Sequence, residues 1–157
     1  MEFSLFLNPN EGDLYIQQLT SEMMKTNDLS INYGLVLSEN DVKMLIQCSI
    51  DSINDNDRIE FGESATLKIV DKFMKSTYIS QSCYADTVAS LIEIFYEVKE
   101  ESLGVLTDSE VIDIMFDFFE NESGGSIEVL QNRDMSYLCK KVRYAAQNIT
   151  DEDMDLD

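Results

Sequence analysis

Carboxylates are the most abundant reactive groups in this chain, and two arrangements of them set the first hypotheses. Ser52 to Glu63 reads SINDNDRIEFGE between two helical patterns and can be laid over a calcium loop, with Asn54 and Asn56 at its third and fifth positions, Ile59 at the eighth and Glu63 at the twelfth. Two positions depart from that loop: Ser52 stands first in place of aspartate, and Asp57 stands sixth, where the sharp turn needs glycine. The second arrangement is Glu110, Asp113, Asp117 and Glu120, whose spacings of three and four put four carboxylates in one row along a helix. Such a row is either a solvated face or a docking surface for a basic partner.

Catalytic constellations are harder to find. The chain has no histidine, which removes the usual general base near neutral pH and the commonest metal ligand. Cys48, Cys83 and Cys139 are an odd number, far apart, each among apolar residues at helical spacing, and they read as buried free thiols without a base to activate them. No GxSxG, Walker-type or GxGxxG loop occurs; Gly124-Gly125 precedes Ser126 and Glu128 and suits the end of one helix and the cap of the next. The many carboxylates lie on faces expected to be wet, where nothing would drive two pKa values apart. The residues therefore point to a protein that is not an enzyme, with no cofactor and no metal.

The elements that would position these groups are nearly all helical. A first helix is expected from Gly12 to about Thr26, ended by Asn27-Asp28 and followed by an extended INYGLVL. Ser38 and Asp41 cap a second, whose buried face is Val42, Leu45, Ile46, Ser49, Ile50 and Ile53 and which the run Asn54 to Asp57 breaks. A third follows near Glu63 to Lys75. Ser80 or Ser82 caps a long fourth with Tyr84, Val88, Leu91, Ile92 and Phe95 buried, and Thr107 with Glu110 forms a capping box for a fifth that buries Val111, Ile112, Met115, Phe118 and Phe119. From Ser126 to about Asn148 a short helical turn precedes a longer helix. Before all of these, Phe3, Leu5 and Leu7 alternate with Glu2, Ser4 and Phe6, as in a short strand or extended arm. The expected architecture is an all-α, single-domain bundle of about six helices over residues 1–149, with a disordered acidic tail, DEDMDLD, at 150–157.

Charge sets the partners. Thirty-one acids against 11 basic residues give a net charge of -20, which repels phosphate backbones and anionic headgroups and disfavours direct nucleic-acid or membrane binding. The N-terminus lacks a basic and long apolar leader, and no 18 apolar residues run together, so a cytoplasmic protein is expected. The charge is uneven: Ser76 to Glu128 holds twelve acids and one base, Lys99, whereas Val129 to Thr150 sets Arg133, Lys140, Lys141 and Arg143 against Asp134.

Arg58-Ile59-Glu60-Phe61-Gly62, Tyr84-Ala85 with Thr87, and Gly124-Gly125-Ser126-Ile127-Glu128 resemble a family of uncharacterised short acidic bacterial proteins, largely from Gram-positive anaerobes, with no assigned activity, cofactor or catalytic residue. The resemblance implies an RxEFG segment at 58–62 rather than a calcium loop. Taken together, the sequence reads as an adaptor or regulatory protein that binds a protein partner with a basic contact surface, through the face of Glu110, Asp113, Asp117 and Glu120. Two alternatives stand beside it: a phage-type inhibitor that imitates nucleic acid to occupy a nucleic-acid-binding protein, and a small metal-binding or enzymatic domain.

Overall fold

Apolar side chains at three- and four-residue spacing dominate the chain, and each such run forms a helix. The computed structural model describes the backbone of residues 9–55 and 64–155 and the side chains of 14–54 and 64–149. Among these residues the fold is all-α, with no strand. The expected N-terminal arm and most of the Ser52–Glu63 loop lie outside the described residues; Ser52 itself is buried on a helix. The chain divides into two compact units, Met1–Glu93 and Ile94–Asp157.

In the first unit, α1 (Pro9–Lys25) packs on α3 (Glu39–Asp55) and on the single turn α2 (Asn27–Ser30), and α4 (Ala65–Phe73) packs on α3. The α3 cap is as expected: the Ser38 N–H donates to Asp41 Oδ2 (2.9 Å) and the Asp41 N–H to Ser38 Oγ (3.0 Å). Ser64 caps α4 by accepting from the Thr66 N–H. Between α3 and α4, Thr66 Oγ1 donates to Ser49 Oγ at 2.9 Å, both buried.

The chain after α1 differs from the expectation. Asn27-Asp28 does not end the helical path; α2 and a 3-10 turn, Ile31–Tyr33, continue it to Gly34, whose φ of 77° makes the turn. Within this segment only residues 35–38 lie outside helix and turn, and every N–H and C=O there finds a partner without a neighbouring strand. The Leu35 N–H donates to Ser30 O and its carbonyl accepts from Ser30 Oγ (3.1 and 2.7 Å). The Gln81 amide closes both groups of Val36 (2.7 and 2.9 Å), and the Asn27 amide both groups of Leu37 (2.8 and 2.9 Å). Two primary amides thus do what a strand's peptide groups would, satisfying backbone that would otherwise be stranded.

Helix α5 (Tyr84–Lys99) begins in the first unit and ends in the second. It buries the expected stripe and also Ile94, Tyr96 and Val98, leaving Glu93, Glu97 and Glu100 exposed. Neither Ser80 nor Ser82 caps it through its side chain: a 3-10 turn, Gln81–Cys83, precedes the helix, and Ser80 Oγ lies instead against Ser82 Oγ and Cys83 Sγ.

In the second unit, a 3-10 turn, Glu100–Ser102, leads to α6 (Asp108–Asn121), then to α7 (Ile127–Val129), a π-turn (Leu130–Asp134) and α8 (Met135–Asp155) in one continuous path. Lys99 pins the loop before α6, donating to Leu106 O at 2.6 Å and pairing with Asp108 at 3.0 Å. The Thr107–Glu110 capping box is complete. Gly124 and Gly125, at φ 60° and 77°, turn the chain back so that the Gly125 N–H reaches Phe119 O at 2.7 Å. Helix α8 packs on α6 and on the 100–102 turn, where Arg143 meets Glu101 at 2.7 Å. Its described backbone runs to Asp155.

Candidate functional site

The four acids on α6 stand in different surroundings. The Glu110 side chain is committed to the cap, where the Thr107 N–H donates to it at 3.0 Å and holds its carboxyl below the usual range. Asp113 and Asp117 are exposed. Asp117 accepts from Asn121 Nδ2 (2.8 Å) and from Lys141 Nζ (3.4 Å). Glu120 is half-buried, and its Oε1 is enclosed without a hydrogen bond from any described residue. The row is therefore a pair of exposed carboxylates flanked by one tied to a cap and one turned inward.

Just beyond this pair lies a groove of about 430 Å³, lined by Phe118, Glu122, Asp134, Tyr137 and Lys141. Helix α6 supplies Phe118, its C-terminal turn Glu122, the π-turn Asp134, and one face of α8 Tyr137 and Lys141. Leu130, Asp134, Leu138, Val142 and Ala146 are all buried, at a constant spacing of four, so Asp134 occupies a core position in a stripe that is otherwise apolar. A π-turn, with its wider i to i+5 hydrogen bonding, is a recurrent device for re-aiming side chains at binding sites.

A buried carboxylate needs partners, and Asp134 has them. Arg133 clasps it through Nε to Oδ1 (2.8 Å) and Nη2 to Oδ2 (3.0 Å), while Ser123 Oγ donates to Oδ2 at 2.8 Å. The guanidinium and the hydroxyl hold this carboxyl below its ordinary range. A carboxyl depressed in the folded state stabilises above its unfolded pKa, so the clasp is in place at neutral pH and is lost as pH falls through the folded value. Arg133 Nη2 also donates to Glu122 O at 3.0 Å, closing the C-terminal end of α6.

The groove already receives a cation. Lys141 Nζ lies 5.8 Å from the centroid of the Phe118 ring and 3.4 Å from Asp117, and Lys140 Nζ lies 5.7 Å from the Tyr137 ring. Aromatic faces attract cations within about 6 Å. The Lys141–Asp117 pair is about half exposed on both sides, 49% and 53%, where an ion pair is worth roughly 0–1 kcal/mol. Lys141 is held weakly.

A family model describes residues 22–148, most of the chain. The chain belongs to the family of unknown function DUF6323. The groove residues, the Asp134 clasp and the Asn27 and Gln81 amides all lie within the matched segment. No curated protein and no solved structure matches the chain.

Sequence reasoning marked Phe118 as core and missed Glu122, Asp134, Tyr137 and Lys141 as a set. The one local signal is the i,i+4 pair of Tyr137 and Lys141, which places an aromatic and a cation on one face of α8. No helix among the described residues is long and apolar enough to cross a membrane, and no group of three or more Cys, Asp or Glu there is placed to hold a metal ion.

The cysteines are half-buried rather than buried. Burial, with Glu93 and Asp51 nearby, pushes the Cys48 thiol up to about 11, and burial with Glu101 and Glu97 raises Cys139. Hydrogen bonding from Ser80 lowers Cys83. Iodoacetamide at mildly alkaline pH should therefore alkylate Cys83 first and Cys48 slowest, because the thiolate is the nucleophile; equal rates by peptide mass spectrometry would contradict this order.

Proposed function

We propose that this protein is a non-enzymatic binding protein whose second unit receives a basic side chain, best an arginine, from a protein partner with a basic contact surface. The observation that carries the reading is Lys141: its ammonium lies 5.8 Å from the centroid of the Phe118 ring and 3.4 Å from Asp117, which supports a groove with the chemistry of a cation site whose cation is held by a weak exposed pair. A guanidinium fits that place better than an ammonium, since its flat face stacks on aromatic rings and its fork meets a carboxylate with two hydrogen bonds. Phe118 and Tyr137 supply the ring faces, Asp117 and Glu122 the carboxylates. Asp134, already saturated by Arg133 and Ser123, holds the wall in shape.

The exposed carboxylates of Asp113 and Asp117 would steer such a partner toward the groove. The inward turn of Glu120 and the engagement of Glu110 in the cap support a site the size of one side chain over a row that imitates regularly spaced phosphates. An arginine-rich peptide is expected to bind more tightly than a lysine-rich peptide of equal charge, with an on-rate that falls as ionic strength rises. Reversing Asp113 and Asp117 to lysine should weaken binding roughly tenfold or more, the range of a lost charge pair. Equal affinity for the two peptides, or binding unchanged in the reversed protein, would remove the reading.

A further inference from the structure

We infer that the partner presents its basic side chain from a helix that lies along the outer face of α8 and sets an acid against Lys140; the inference rests on the reading of the groove as a cation site. Helix α8 is patterned on two sides. Leu138, Val142 and Ala146 are buried, whereas Tyr137, Lys140, Tyr144 and Gln147, at successive spacings of three, four and three, are all exposed. A row that repeats every 3.5 residues is the seam by which one helix lies along another. Tyr137 and Tyr144 stand a heptad apart on this seam at 60% and 66% exposure, the most exposed tyrosines among the described residues. Tyrosine supplies a large, rigid contact area and is enriched in interface cores.

Charge selects the occupant of the seam. The sixteen residues Met135 to Thr150 hold three bases and no acid, in a chain of 31 acids. In the second unit Lys99, Arg133, Lys141 and Arg143 each meet a carboxylate, while Lys140 meets none among the described residues and rests over the Tyr137 ring at 5.7 Å. The seam therefore holds an unneutralised cation at its middle. At its Tyr137 end it joins the groove, since Tyr137 also lines that space beside Glu122. An acid on the partner gives Lys140 the carboxylate that the second unit does not, and an arginine one turn from that acid reaches the groove. Residues three or four apart share one face of a helix, so a single helix presents both. A wholly acidic partner is repelled by the net charge of -20, which leaves a helix of mixed charge as the complement. An apolar residue a heptad from the arginine then packs on Tyr144.

Calorimetric titration of the full chain with alanine-based helical peptides of one composition tests this. The matched peptide carries arginine, glutamate and leucine on one face at spacings of four and three, made in each chain direction; its control moves the glutamate to the opposite face. The matched peptide, in one direction, should bind roughly tenfold or more tightly than the control. Tyr144→Ala should remove that advantage and leave the binding of an acetylated oligo-arginine amide, which needs the groove alone, unchanged. Lys140→Glu should reverse the preference, favouring a peptide with lysine in place of the glutamate. Both side chains are exposed, and unchanged circular dichroism and melting confirm that the variants fold. Equal affinity for matched and control peptides, or a matched peptide indifferent to Tyr144→Ala and Lys140→Glu, overturns the inference while oligo-arginine binding at the groove keeps the cation site. Failure of the oligo-arginine as well as the peptides overturns both.

Discussion

Replacing Phe119 with alanine should destabilise the protein by about 3–5 kcal/mol, the range for deleting a buried phenylalanine and leaving the cavity behind. Phe119 is fully enclosed in the second unit, and its carbonyl anchors the turn at Gly125. Phe119→Leu keeps most of the volume and should cost no more than about 1.5 kcal/mol. Urea denaturation followed by circular dichroism measures both. A loss below about 1 kcal/mol for the alanine variant would mean that this region collapses without penalty and is not packed as described.

The second large effect belongs to Asn27. Among the described residues its amide alone closes the N–H and C=O of Leu37, a residue only 1% exposed, so Asn27→Ala leaves two buried backbone groups without a partner there. At about 1–3 kcal/mol for each unsatisfied group, a loss of roughly 3 kcal/mol is expected. Gln81 makes the same pair of bonds to Val36, but these are exposed, and water replaces them; Gln81→Ala should cost less than about 1 kcal/mol. The contrast is the test. Equal losses in the two variants would show that burial does not decide the cost of these amides.

These two residues also mark the line between what the sequence discloses and what it hides. Local signals were legible: the Ser38–Asp41 and Thr107–Glu110 caps and the apolar faces of α3 and α6 follow from spacings of three or four residues, and the turn at Gly124-Gly125 from the glycine pair itself. The Asn27–Leu37 bonds span ten residues and the Gln81–Val36 bonds forty-five, and no periodicity announces an amide standing in for a strand. For the same reason the segment Ile31–Tyr33, which reads as extended, completes a helical turn instead.

The site divides in the same way. The spacing of Glu110, Asp113, Asp117 and Glu120 placed them on one helix, and Thr107 marked Glu110 for the cap, yet nothing in the spacing showed that Glu120 would turn inward. The basic residues of the last helix were legible as a cluster. Their pairing was not: Arg133 with Asp134, Lys141 with Asp117 and Arg143 with Glu101 neutralise much of that cluster within the second unit. The groove depends on α6 meeting α8 and on a π-turn that brings an aspartate into an apolar stripe, both products of tertiary packing.

The central claim is that the groove between Phe118 and Tyr137 is a site for a basic side chain. Nitrogen-15 correlation spectra of the protein, titrated with an acetylated oligo-arginine amide, test it most directly. Shifts concentrated at residues 117–123 and 133–141, with tighter binding in Lys141→Met because the internal cation no longer competes, are the result expected. Shifts spread evenly over the acidic surface of both units, or binding weakened by Lys141→Met, would contradict the account.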